Sequence, residues 1–334
     1  MNINLGDWLA GLPKSGKPLP ILSFPTVELL GVSVYELTHS SELQAKGMKA
    51  VADRVKSAVS LSMMDLSVEA EAFGCRIKAS ENEIPTVVGR LISDGEEAKA
   101  LRVPEVGEGR TGLYIEAARL ACRLIKDRPV LAGIIGPFSL AGRLMDVSEA
   151  LANCLVDPDF VIAVLEKTTE FLIKYAKTYK STGAIGILMA EPLAGLLSPE
   201  LEREFSAPYV KKIIEAVSDS SFCVFYHNCG QNTPYMTESL STNGAVAYHF
   251  GDAINLEDIL SKMPPDKLVL GNISPTEQFL SGTPESIYKA TTELLERCSK
   301  YPNFVLSSGC DIPPRFPWEN IEAFFSAARD FYNK

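Results

Sequence analysis

Short apolar runs recur along the chain, each closed by small or polar residues, and the stretches between them carry apolar residues at helical spacing. Runs without internal alternation suit strands covered on both faces. They fall at residues 19–25, 60–66, 129–137, 184–190, 222–226, 245–250, 268–272 and 304–307. The segments 41–59, 111–126, 147–154, 158–182, 199–218, 234–242, 255–262, 284–300 and 318–332 read as helices, with Ser40 or Ser41 and Ser198 as caps. Eight strands alternating with helices predict a parallel sheet closed into one (β/α)8 barrel, the TIM-barrel architecture. An open doubly wound sheet is the rival, but the glycine-rich dinucleotide fingerprint it usually carries after its first strand is missing. Residues 2–20, polar and rich in Gly and Pro, predict an N-terminal extension wrapping the outside. Residues 76–110 break the alternation and predict an inserted hairpin or excursion. No composition shift marks a boundary, so residues 1–334 are expected to form a single domain.

A barrel gathers its chemistry at the C-terminal ends of its strands. The polar residues closing the apolar runs are Asp65, Glu191, His227, Cys229, His249, Asp252, Asn272, Cys310 and Asp311. The stretch Phe222 to Gly230 is the most telling, because residues two apart on a strand share a face and His227 and Cys229 would project together. Residues 304–310 repeat the design of apolar run, small residues and cysteine, and bring Cys310 as a third donor. One imidazole and two thiolates suit zinc, and three protein ligands leave a position open for chemistry. The bland reading makes each cysteine a packed core residue. Glu191 closes an uninterrupted run and precedes a proline, so it is expected either to orient His227 or to act as a fourth ligand. Asp252 and His249 join Glu191 as candidate catalytic groups; a helix cap would equally explain the first, and a hydrogen-bonded structural histidine the second.

Composition removes several classes. With 32 basic against 42 acidic residues the net charge is −10, and no basic block of the kind nucleic acids select is present. No apolar run approaches the ~20 residues of a membrane span. The first residues lack the positive start and apolar core of a secretory signal. Seven cysteines without a short-range framework predict reduced thiols and a cytoplasmic protein, with Cys75, Cys122, Cys154, Cys223 and Cys298 serving packing.

The chain resembles the uroporphyrinogen decarboxylase superfamily, and within it the zinc-containing methylcobamide methyltransferases, such as the methylcobamide:coenzyme M enzymes of methanogens. The resemblance rests on Gly136-Pro137, Glu191-Pro192 through Pro199, His227-Asn228-Cys229-Gly230, Gly271 to Pro275, and Ser308 to Pro313 through Glu319-Asn320. It implies zinc held by His227, Cys229 and Cys310, a methylcobamide (corrinoid) co-substrate on a carrier protein, and methyl transfer to a small thiol such as coenzyme M. Glu71 and Asn272 are expected to contact the cofactor. Metal-independent porphyrinogen decarboxylation is the weaker branch, because residues 19–32 contain no arginine where the decarboxylase has an arginine-rich segment. The same pattern is compatible with a corrinoid methyltransferase that uses a non-thiol acceptor such as tetrahydrofolate, and with a barrel whose zinc is purely structural. The chain departs from the methyltransferase pattern after the sixth strand, where Tyr248-His249-Phe250-Gly251-Asp252 replaces adjacent acidic residues. If one of those acids completes the resting zinc site, Asp252, His249, Glu191 or water must stand in for it here.

Overall fold

The computed structural model describes residues 3–333. Met1, Asn2 and Lys334, the ends of the expected extension and domain, lie outside the described residues. Among the described residues there are nine strands: β1 (Ser60–Leu61), β2 (Arg76–Lys78), β3 (Thr86–Val88), β4 (Val130–Ile135), β5 (Gly186–Ala190), β6 (Cys223–Asn228), β7 (Ala247–Phe250), β8 (Leu268–Ile273) and β9 (Phe304–Ser308). Seven form one all-parallel sheet in the order β1-β4-β5-β6-β7-β8-β9, with helices between successive strands. Nearly every residue of these strands is buried, as the unbroken apolar runs require.

The first expected strand, at 19–25, is instead an extended segment without a ladder of its own. Pro18 and Pro20 have no backbone N–H to contribute. The segment nonetheless spans the gap between β9 and β1: Leu19 N donates to Leu306 O at 2.9 Å and Ala58 N to Pro18 O at 2.9 Å. It thus completes the TIM-barrel ring. The helix expected over 199–218 is broken into Pro199–Phe205 and Ala207–Val217, with Pro208 at the start of the second piece.

Two apolar cores result. One lies between the sheet and the outer helices, and the other fills the ring with Leu61, Leu131, Leu188, Phe225, Leu270 and Val305. The N-terminal extension supplies the floor of the inner core. Its helix Leu5–Gly11, capped by Asn4, buries Leu5 against that cluster, and Trp8 packs on Phe225 with ring centroids 6.2 Å apart. Residues 76–110 leave the barrel as an antiparallel hairpin, β2 against β3, followed by helix Gly95–Ala100. No helix among the described residues is long and apolar enough to cross a membrane.

Candidate metal centre

The inner core changes character at its top layer. On β6 the inward positions run Cys223, Phe225, His227, and the parallel register sets His227 directly beside His249 on β7. Their rings meet edge to face with centroids 4.7 Å apart. Ser307 on β9 completes the layer.

The hydrogen bonds of this layer have only one consistent direction. Ser307 Oγ donates to the Leu19 carbonyl at 2.7 Å, since a carbonyl can only accept. Ser307 Oγ must then accept from His249 Nε2–H, also at 2.7 Å. Burial and the neighbouring His227 hold the His249 pKa well below the ordinary histidine value, so its ring is neutral and Nδ1 bare. His249 Nδ1 accepts from His227 Nδ1–H at 2.7 Å, and the His249 carbonyl receives the same proton at 3.3 Å. With Nδ1 engaged, Nε2 is the ring nitrogen of His227 left to face the cluster. It lies 3.6 Å from Cys310 Sγ.

Cys229 follows β6 and Cys310 follows β9, both half-buried and both free thiols. One donor atom each from His227, Cys229 and Cys310 lies within 4.8 Å of the others, and among the described residues no fourth His, Cys, Asp or Glu joins this group. Cys229 is pulled below its ordinary value chiefly by its hydrogen bond with Cys310, while Cys310 is pushed up to about 12, first by that same contact and then by burial. A nitrogen lone pair and two sulfurs in this compass match a tetrahedral zinc site with one position left over. The loop after β7 reaches the cluster because Gly251 has no side chain: a Cβ there would stand 2.7 Å from Cys229 Cα.

The other expected site residues fall elsewhere. Glu191 neither orients His227 nor reaches the cluster. Its fully buried carboxylate accepts from Ser139 N at 2.5 Å and Phe138 N at 3.2 Å, capping helix Pro137–Met145, and burial pushes its pKa up to about 8. Only the missing side chain of Gly136 makes room for it, since a Cβ there would lie 1.9 Å from Glu191 Oε2. The acceptor for His227 is His249, which is a buried positioning residue and not a group that meets substrate. Asp252 is exposed, packs its side chain against Gly309, and lines a separate cleft of about 570 Å³ together with Asn272. Asn272 ties that loop down, donating to Gly251 O and Ile254 O at 2.9 Å each. Glu71 accepts from Arg110 Nε at 2.6 Å, and the same guanidinium meets Asp65 at 2.5 Å and Ser67 at 2.9 Å. Tyr114 and Ser67 donate to Asp65 as well, so Asp65 is fully engaged, while Glu71 holds the same guanidinium through one carboxylate oxygen and keeps the other partly exposed.

A cleft of about 530 Å³ opens beside Cys229 and Gly230, walled by Leu66, Ile135, Pro192, Leu193 and Leu196, with Ser139 and Arg143 among its polar contributors. Sequence context alone does not single out Ser307 or Arg143. For Arg143 a signal exists: it is the single charged residue of the largely apolar helix Pro137–Met145. Ser307 carries none, because a serine ending a strand is ordinary.

Comparison with known proteins identifies the family and the fold. The family profile described as uroporphyrinogen decarboxylase (URO-D) matches residues 26–331. The chain is 28% identical over 271 residues to a methylcobamide:CoM methyltransferase, MtbA, of Methanosarcina acetivorans, covering 80% of this chain and 78% of the relative. It is 26% identical over 258 residues to a uroporphyrinogen decarboxylase of Coxiella burnetii, covering 73% and 70%. Among solved structures, a methyltransferase from Methanosarcina mazei superposes with a TM-score of 0.87 over 99% of this chain and all of that one, at 24% identity, so the fold is shared.

Proposed function

The chain belongs to the uroporphyrinogen decarboxylase (URO-D) family, and on that premise we propose that it is a zinc-dependent methyltransferase moving a methyl group from a corrinoid on a carrier protein to a small thiol. The observation that carries this reading is the convergence of His227 Nε2, Cys229 and Cys310 at the mouth of an apolar cleft. Its similarity to methylcobamide:CoM methyltransferases points the same way. In the decarboxylase branch of the family this donor set would have no purpose.

His227, Cys229 and Cys310 would hold zinc, which when bound supplies a Lewis acid that favours the thiolate of an incoming thiol at neutral pH. The relay from Leu19 through Ser307 and His249 keeps His227 in the tautomer that presents Nε2. Cys229 and Cys310 would bind the metal as thiolates and release their protons on loading, which makes metal affinity rise with pH. Leu66, Ile135, Leu193 and Pro192 limit water beside the sulfur nucleophile and hold a small acceptor in place. In the transfer itself the thiol sulfur forms the new S–CH3 bond with its own electron pair. The Co–C bond breaks heterolytically, both electrons stay on cobalt as Co(III) becomes Co(I), and the thiol proton leaves to solvent. Exposed Val147 and Leu196 at the cleft rim suit the approach of a corrinoid carrier protein. A reducing cytoplasm fits the seven free thiols.

The test is methyl transfer from free methylcobalamin to 2-mercaptoethanesulfonate, followed by the loss of the methylcobalamin spectrum. The zinc-replete chain is expected to turn over, and Cys229→Ser and Cys310→Ser to lose at least about a hundredfold, as removal of a charge-stabilising group costs elsewhere. Turnover that survives both substitutions would refute the reading.

A further inference from the structure

Buried arginines in this molecule are matched, with one exception. Arg110 meets Asp65 and Glu71, and Arg128 meets Asp127 and the carbonyls of Val55 and Ala52. The arginines that lack a carboxylate partner, Arg76, Arg90, Arg123, Arg297 and Arg315, are exposed, so water satisfies them. Arg143 is half-buried, and among the described residues its guanidinium has neither an ion-pair partner nor a hydrogen-bond acceptor. Burial disfavours its charge, and the nearest compensating acid, Asp65, is already taken by Arg110. Its guanidinium opens to the cleft, so its five N–H donors are offered to water or to an anionic ligand there and not to any protein group.

The direction in which those donors are available is informative. Arg143 lines the same cleft as Cys229, and much of the remaining lining is carbon from Leu66, Ile135, Pro192 and Leu193. A short molecule lying in this cleft has both the metal-site sulfur of Cys229 and an unmatched cation within its walls. A guanidinium fork pairs best with the oxygens of a carboxylate, sulfonate or phosphate.

We propose that Arg143 recognises the acceptor, binding the terminal sulfonate or carboxylate of a short thiol whose sulfur lies at the Cys229 end of the cleft. This rests on the methyl-transfer reading and adds that the acceptor is an anion selected over neutral thiols.

Ethanesulfonate separates the two claims, because it carries the anion and no thiol and its binding requires neither methyl transfer nor a sulfur nucleophile. Ligand-observed NMR titration of the full chain, with zinc loaded and after chelation, is expected to show ethanesulfonate binding in both forms. Arg143→Gln should weaken it roughly tenfold to a hundredfold, the range for a charge-assisted pair, and Arg143→Lys should restore part of the loss. In turnover assays Arg143→Gln should raise KM for 2-mercaptoethanesulfonate far more than it lowers kcat. The preference over neutral 2-mercaptoethanol should collapse with it. Equal ethanesulfonate binding by the native chain and Arg143→Gln, or no binding to the native chain, overturns the proposal. So does an equal rise in KM for both thiols, which is what general damage to the cleft would produce. A change confined to methylcobalamin relative to methylcobinamide, which lacks the nucleotide phosphate, would assign the guanidinium to the donor and likewise overturn it. Ethanesulfonate bound through Arg143 in a chain that methylates neither thiol would leave the anion site standing and remove the methyl-transfer reading instead.

Discussion

Ser307 hands its hydroxyl proton to the Leu19 carbonyl, and through His249 that bond decides which nitrogen of His227 is bare. Ser307→Ala removes the acceptor for His249 Nε2–H and frees the imidazole pair to exchange tautomers. Zinc affinity is expected to fall by roughly 10–100-fold, as for other outer partners of metal-bound histidines. Chelator competition measures this directly, with an unchanged thermal midpoint of the metal-free chain excluding simple unfolding. At this scale the His-x-Cys spacing and the later cysteine were legible, because strand alternation alone puts His227 and Cys229 on one side. The role of Glu191 was not. A carboxylate at a strand end can face the cluster or the adjacent helix N-terminus, and it is the bare backbone of Gly136 that lets it turn toward Ser139. His249 was ambiguous for a related reason, since the register that pairs it with His227 arises between strands and leaves no mark on either one.

Strand ends and their loops, more than any single ligand, hold the three donors together. Gly251 packs on Cys229, and Gly309 on Asp252, at distances that exclude a side chain. Gly251→Ala is expected to displace Cys229 and lower zinc content of the purified protein, measured by elemental analysis, while the fold persists. The opposite end of the barrel behaves independently. Leu12, 3% exposed, belongs to the floor that the N-terminal extension provides. Leu12→Ala should cost about 2–4 kcal/mol of stability in urea unfolding, yet leave zinc affinity of the folded chain unaltered. The helices and apolar strands were readable from periodicity. The segment 18–22 was not readable as what it is, because its apolar pattern matches a strand while Pro18 and Pro20 deny it the ladder. It serves the site all the same, through the Leu19 carbonyl.

Across the whole molecule, two buried acids sit apart from the metal cluster and set a pH dependence. Glu69 and Glu191 are both held above the ordinary glutamate value of 4.5, to about 7 and about 8, chiefly by burial. Between pH 4.5 and 8 the folded chain therefore holds protons that the unfolded chain has released. Their contribution to stability falls as pH rises through that window and is fully present only below about 4.5, whereas His249, buried as the neutral ring, acts in the opposite sense below 6.5. Urea midpoints of the metal-free chain are expected to decline from pH 6.5 to pH 8, less steeply in Glu69→Gln. The central claim concerns the top of the barrel, where three donors from β6 and β9 converge and a fourth position is free for substrate sulfur. Zinc-edge X-ray absorption, after metal analysis of the purified chain, tests it most directly. The account predicts about one zinc per chain with two sulfur neighbours and at least one nitrogen, the sulfur count rising to three when 2-mercaptoethanesulfonate is added. A chain that takes up no stoichiometric zinc when metal-replete would contradict the ligand assignment. Zinc whose sulfur count stays at two in saturating thiol would contradict the open position on which the mechanism depends.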